Sequence, residues 1–186
     1  MNRMMETYLH SRVIVTVGDI TSEKVDGVVN AANSSLMGGG GVDGAIHAAG
    51  GPAILNDCKQ IRKFSFPDGL PTGEAVITAA GNLPARYVIH TVGPIYGQNQ
   101  GRDGVLLANC YRNSVKLGAE YRLRTLAFPS ISTGVYGYPK KEAAAVVSQA
   151  ITDSLQLHEE IVEIRLVFFS AQDAEIFIQH NTFPTN

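Results

Sequence analysis

Two residues able to hydrogen-bond a ligand or move a proton flank a run of four glycines: Asn33 and Asp43, ten positions apart. An asparagine amide can both donate to and accept from hydroxyl groups. An aspartate can orient a water or deprotonate it. For both to reach one small molecule, the chain between them must turn back on itself. The intervening residues are Ser34-Ser35-Leu36-Met37-Gly38-Gly39-Gly40-Gly41-Val42, and no Lys or Arg lies anywhere between Asn30 and His47. An anion held here would be held by backbone amides rather than by side-chain charge. Asp43 also has a bland reading, since an acid in the first turn of a helix is stabilised by the helix dipole. That placement favours the charged form and makes Asp43 a weak base.

The elements that position this pair are legible around it. Gly27-Val28-Val29 reads as a buried strand, and Val42 to Ala49 reads as a helix stopped by Gly50-Gly51-Pro52. A strand, a glycine loop and a helix N-terminus in succession make a site for an anion. Gly39, Gly41 and Gly44 spell G-x-G-x-x-G, but no second strand ending in an acid follows, as a dinucleotide site requires. No Lys-Ser or Lys-Thr follows the glycines, so the P-loop pattern fails as well.

Upstream, Met1 to Ser11 is expected to be a frayed start and Arg12 to Val17 the first strand. Asp19 ends that strand as a turn or cap residue. Downstream come a helix from Ala53 to Ile61, a loop from Phe64 to Gly73, and strands at Glu74–Ala80 and Tyr87–Val92. A helix follows from about Val105 to Glu120, with Leu106, Cys110 and Leu117 on one face, and then a strand at Thr125–Phe128. A second glycine loop, Ser130 to Pro139, leads into a helix over Lys140–Leu157 whose apolar face is Ala144, Val147, Ile151 and Leu155. A strand at Ile161–Phe169, a helix at Asp173–His180 and a loose end at Asn181–Asn186 complete the chain. Strands alternating with helices argue for a mixed, largely parallel sheet with helices on both faces. The loops at Asp19, Asn33–Asp43, Ser132–Tyr136 and Phe169 all follow strands and should gather at one end of it. His47 shares a helix face with Asp43, where it either supports that carboxylate or is structural; His90 sits within a strand and reads as structural.

Composition narrows the function classes. A length of 186 residues favours one domain, and 45% hydrophobic residues can fill its core. A formal net charge of −2 gives no basic face for sequence-specific nucleic acid. Cys58 and Cys110 form no pair or Cys/His cluster by spacing, so neither zinc nor a disulfide framework is indicated. The start lacks a signal-peptide pattern and no apolar run spans a membrane, so a cytoplasmic protein is expected.

Longer strings are more specific. Asn30-Ala31-Ala32-Asn33, the glycines, and Val42-Asp43-Gly44-Ala45-Ile46-His47 resemble the macrodomain family, specifically its MacroD-type hydrolase branch. Gly18-Asp19-Ile20-Thr21, Pro71-Thr72-Gly73-Glu74-Ala75, His90-Thr91-Val92-Gly93-Pro94 and Ile131-Ser132-Thr133-Gly134-Val135-Tyr136-Gly137-Tyr138-Pro139 extend the resemblance from about Val13 to Phe177. It implies a three-layer α/β/α fold in a single domain over residues 1–186 and a site for ADP-ribose. Asp19 and Ile20 would serve the adenine end, with Phe169 packed against the base. Gly39, Gly40, Gly41 and Val42 would form one wall of the pyrophosphate site; Ser132, Thr133, Gly134, Val135 and Tyr136 would form the other, with Tyr136 as a lid. Asn33 and Asp43 would be catalytic, without metal or cofactor. The implied activities are removal of mono-ADP-ribose from acidic side chains and deacetylation of O-acetyl-ADP-ribose. The implied partners are ADP-ribosylated proteins, and the implied state is a monomer. A non-catalytic ADP-ribose reader is the alternative. One departure is Ala48-Ala49-Gly50, where the family commonly has Arg-Ala-Ala.

Overall fold

The computed structural model describes residues 3–185. Strand β1 is Arg3–Tyr8, β2 Val13–Val17, β3 Gly27–Ala32, β4 Ala75–Ala79, β5 Tyr87–Val92, β6 Thr125–Phe128 and β7 Glu163–Phe168. Helix α1 is Gly41–Gly50, α2 Pro52–Phe64, α3 Asp103–Glu120, α4 Lys140–Leu157 and α5 Ala171–His180. A short 3₁₀ turn, Ile20–Ser22, follows β2. The strands form one sheet in the order β1-β2-β7-β6-β3-β5-β4. Its five central strands are parallel, and β1 and β4 are antiparallel edges.

The alternation of side chains across the sheet divides the core in two. Val29, Ile89, Leu126, Phe128, Leu166 and Phe168 pack on one side with residues of α3, α4 and α5. Val28, Val88, Ala127 and Val167 pack on the other with Ile46 of α1 and Ile54 and Cys58 of α2. Helices thus cover both faces of the sheet, giving three layers. Among the described residues, no helix is long and apolar enough to cross a membrane.

Three expectations need correction. Residues 3–8 are not frayed, because they pair with β2 from Arg3↔Val17 to Tyr8↔Val13; Met1 and Asn2 lie outside the described residues. The far end is also held. Phe183 is buried, its ring 4.8 Å from that of Tyr8, and Thr182 N donates to Ser148 Oγ at 2.8 Å. Aromatic burial outweighs the polar composition that suggested a loose tail; Asn186 lies outside the described residues. The buried face of α3 is Leu107, Cys110, Tyr111, Ser114, Val115 and Gly118, not one carrying Leu106 and Leu117, which are only half-buried. The four apolar positions expected on α4 are all buried.

The pairing of the central strands opens the crevice. β3 pairs with β5 along its whole length, Gly27↔Tyr87 to Ala32↔Val92. It pairs with β6 only at Gly27↔Leu126 and Val28↔Ala127. Beyond Val28 the two strands part, and a glycine loop follows the end of each. Phe128 anchors the β6 side, its ring 4.9 Å from Tyr111 and nearly parallel at 17°. Replacing Phe128 with Ala should cost about 3–5 kcal/mol, the usual range for emptying a buried aromatic site. Urea denaturation measures it; a loss under about 1 kcal/mol would mean that this wall is not the anchor.

Candidate functional site

β3 runs further than Gly27-Val28-Val29, so Asn30 lies inside the sheet, fully buried, and Asn33 is the first residue beyond it. The loop then folds on itself. Asn33 Nδ2 donates to Gly38 O at 3.0 Å, and Asn33 Oδ1 accepts from Ser35 N at 3.1 Å and from Ser35 Oγ. Leu36 is buried as a plug, and Arg62 Nη1 holds Ser35 O at 2.7 Å from behind. Gly39, Gly40 and Gly41 are left on the surface. Gly40 caps α1 with no side-chain hydrogen bond, so no side chain of the cap takes up the first amides of the helix. Gly41 has φ +56°, which a side chain would strain.

Asp43 is buried in the first turn of α1, with 5% of its surface exposed. Its two oxygens have different surroundings. Oδ1 accepts from Asn30 Nδ2 at 2.8 Å and lies 3.4 Å from His47 Nε2. Oδ2 faces the glycine loop: a Cβ on Gly39 would sit 3.2 Å from Asp43 Oδ2 and 3.2 Å from Asn33 Nδ2. An amide donor and a carboxylate oxygen thus converge on one point at an exposed backbone position. The point lies a bond length from the Gly39 backbone, so it marks where the two groups adjoin and is not itself a seat for a ligand.

The second loop leaves β6. Tyr138 N donates to Ser132 O at 2.9 Å, Gly137 N to Gly134 O at 3.0 Å, and Tyr96 N to Tyr136 O at 2.9 Å. Thr133 Oγ1 and Ser130 Oγ are 2.6 Å apart. Ser132 is buried in the left-handed region at φ 64°, and its Oγ has no hydrogen-bond partner. Gly134 is exposed, Val135 fully so, and Tyr136 half-buried.

The ends of β2 and β7 lie side by side, with Gly18 N donating to Phe168 O at 2.9 Å. Asp19 caps the 3₁₀ turn, its Oδ1 accepting from Thr21 N at 2.9 Å and Thr21 Oγ1 at 2.7 Å. The cap reading of Asp19 therefore holds, and the carboxylate itself stays exposed. Ile20 puts its side chain into the core at 6% exposure, so only its backbone could meet a ligand. Phe169 is 93% exposed. Its neighbour Phe168 is the core residue at this strand end, and Phe169 has no packing role there.

The structure also assembles what spacing along the chain concealed. The ligand-capable atoms of His47, Cys58 and His90, from three elements, lie within 4.8 Å of one another. Burial, with the charges of Asp43 and Asp57, pushes the Cys58 thiol up to about 12. Burial, with His47 nearby, lowers His90 to about 3 and keeps its ring neutral. The neutral imidazole is the form that binds a metal, but the protonated thiol is not, since a thiolate is the ligand form. The available signal was Asn30, a polar residue in a buried apolar strand, which demands partners.

A model of the family described as "Macro domain" matches residues 29–147, more than half of the chain. The chain is a member of the macro domain family. A macro domain-containing protein of Cupriavidus necator is 52% identical over 164 residues, covering 88% of this chain and 93% of that one. A protein named O-acetyl-ADP-ribose deacetylase from Escherichia fergusonii is 47% identical over 169 residues, covering 91% and 94%. The Oceanobacillus iheyensis macrodomain solved with ADP superposes with a TM-score of 0.89 at 45% identity, over 97% of this chain and 94% of that one. A glycine-to-valine variant of it, solved with ADPR, gives 0.86 at 44%, over 97% and 96%. This macro domain thus shares its architecture with the solved Oceanobacillus iheyensis structures.

Gly39→Ala tests the convergence. The methyl would press on Asn33 and Asp43 at a non-strained φ. Affinity for ADP-ribose should fall more than affinity for ADP, which lacks the second ribose, with melting little changed. Equal effects on both ligands in calorimetry would show that the two side chains do not meet that sugar.

Proposed function

We propose that this macro domain binds ADP-ribose and hydrolyses esters on its distal ribose. The substrates are mono-ADP-ribose attached to acidic side chains and O-acetyl-ADP-ribose. The observation that carries the reading is the convergence of Asn33 Nδ2 and Asp43 Oδ2 beside Gly39. A module that only binds needs no buried carboxylate aimed into the cleft. The name of the Escherichia fergusonii relative and the ligands of the Oceanobacillus iheyensis structures support the same reading.

In this reading the adenine lies at the β2 and β7 ends. Asp19 accepts from its amino group, and Phe169 covers its face. The pyrophosphate lies between Gly39, Gly40, Gly41 and Val42 on one side and Ser132, Thr133, Gly134, Val135 and Tyr136 on the other. Backbone amides and the positive end of α1 stabilise it. The distal ribose reaches Asn33 and Asp43. Asn33 orients a hydroxyl, and Asp43 Oδ2 orients the water that attacks. A phosphate oxygen of the substrate shares in taking the proton. Both substrates present an ester on the same sugar, so one site serves both.

Asp43→Ala should lower turnover of a glutamate-linked mono-ADP-ribosyl substrate by roughly 10²-fold or more, the scale of a positioned proton-transfer group. ADP-ribose affinity, titrated in parallel, should weaken only modestly, because the amides that hold the pyrophosphate remain. Full turnover in the folded variant would remove Asp43 from the chemistry. Firm binding with no turnover in the unmutated chain would leave a reader.

Phe169→Ala should weaken ADP-ribose binding by about 1–3 kcal/mol, the range for an aromatic ring stacked on a base. Its thermal melt should not move, since the ring packs against nothing in the fold. Unchanged affinity would place the adenine elsewhere.

A further inference from the structure

Behind Asp43 runs a line of buried polar side chains that the proposed chemistry does not use. Asn30 Nδ2 donates to Asp43 Oδ1 at 2.8 Å and lies 3.1 Å from His90 Nδ1. His90 Nε2 lies 2.9 Å from Thr78 Oγ1, which donates to Ala79 O at 3.0 Å. Asn30 and His90 face each other in the register of β3 and β5, both with no exposed surface, and Thr78 on β4 is 3% exposed.

The donor inventory fixes every role. The two hydrogens of the Asn30 amide go to the Asp43 carboxylate and to the imidazole. His90 Nδ1 therefore accepts, and the ring proton sits on Nε2. That proton goes to Thr78 Oγ1 at 2.9 Å and not to the Cys58 sulfur 3.8 Å away, and the hydroxyl's own hydrogen is taken by the carbonyl of Ala79. Flipping the Asn30 amide would set two acceptors face to face at Asp43. The line has one direction, from the backbone of β4 to Asp43 Oδ1, and it needs His90 neutral.

Such a line is costly inside an apolar sheet. The neighbours of Asn30 in β3 are Gly27, Val28, Val29, Ala31 and Ala32, and Asn30 Oδ1 itself has no hydrogen-bond partner. Apolar residues at positions 30 and 90 would make a cheaper core. The arrangement makes sense for what it does to the carboxylate. With Oδ1 bound inward, the rotation of the Asp43 side chain is fixed, and Oδ2 is the oxygen left beside Asn33. His47 approaches the same inward oxygen at 3.4 Å, too long for a good hydrogen bond.

We infer that Asn30 is a positioning residue for Asp43, backed by neutral His90 and by Thr78, and that this line selects Oδ2 as the oxygen that meets the reacting water. The inference rests on the hydrolase reading of Asp43. Nothing in the line touches substrate; it acts by holding one carboxylate in one orientation.

The test is a double-mutant cycle read by turnover of the glutamate-linked substrate, with ADP-ribose titrations in parallel. Asn30→Ala should lower kcat by about 10- to 100-fold, the scale of a small misplacement of a reacting group. The dissociation constant for ADP-ribose should stay within about threefold, well under the 1.4 kcal/mol of a tenfold change. In an Asp43→Ala background the same substitution should lower kcat no further, because there is no carboxylate left to hold. A merely structural residue would cost the same factor in both backgrounds, and that result overturns the inference. So does an unchanged kcat in folded Asn30→Ala. Should Asn30→Ala fail to fold, Thr78→Val decides by the same cycle. It is nearly isosteric and remote from the cleft, and it frees His90 to move its proton to Nδ1, against the Asn30 amide. An expected loss of several-fold in kcat, absent in the Asp43→Ala background, supports the inference; no loss overturns it. No turnover in the unmutated chain overturns the hydrolase reading and this one with it, whereas turnover that Asn30→Ala leaves intact overturns only the positioning role.

Discussion

A carboxylate almost out of water has to be satisfied, and the arrangement around Asp43 is built on that requirement. Its backbone lies in the first turn of α1, where the helix dipole favours negative charge. Its inward oxygen takes the amide of Asn30 from the middle of β3. That one bond joins the strand before the glycine loop to the helix after it. The loop between them is short and must close over a fixed span. Gly39, where a Cβ would lie 3.2 Å from both Asn33 Nδ2 and Asp43 Oδ2, is the position where this closure leaves little room for a side chain. Close backbone approach and a defined pair of functional groups are thus consequences of the same contact.

The sheet supplies the space. β3 is bonded to β5 along its length but leaves β6 after two residues, so the loops that follow β3 and β6 start from diverging strands. Neighbouring parallel strands whose connections run to helices on opposite faces open a crevice at their carboxyl ends. Here the helix after β3 lies with α2 on one face, and the helix after β6 lies with α3 and α5 on the other. The side chains at the rim are correspondingly bare. Val135 and Phe169 are exposed because they contribute nothing to the core. Their apolar surface is available to a flat or ring-shaped ligand, and leaving it in water has no compensation within the fold.

Much of this was legible in the sequence. Periodicity located β5, β6 and α4 to the residue, because each is a regular apolar pattern bounded by turn residues. The two glycine loops could be found as loops, and Asn33 and Asp43 as a pair. What spacing cannot show is contact between elements. Arg3–Tyr8 carries a weak pattern and becomes a strand only because β2 offers an edge. Phe183 is held by Tyr8 and Phe177, one of them at the opposite end of the chain. Asn30, Thr78 and His90 lie on three strands, so their hydrogen bonds are a property of sheet order alone. Phe169 and Phe168 are adjacent aromatics, and only the pleat decides which one is buried.

The central claim is geometric: Asp43 Oδ2 and Asn33 Nδ2 grip the same sugar of the ligand. A crystal structure of this chain with ADP-ribose measures it directly. The account predicts the distal ribose within hydrogen-bond reach of both atoms, with Asp43 Oδ1 still bound to Asn30 and the pyrophosphate on the amides of Gly39 to Val42. A ligand whose distal ribose lies away from Asn33 and Asp43, or an Asp43 carboxylate released from Asn30 and turned into the cleft, would contradict it.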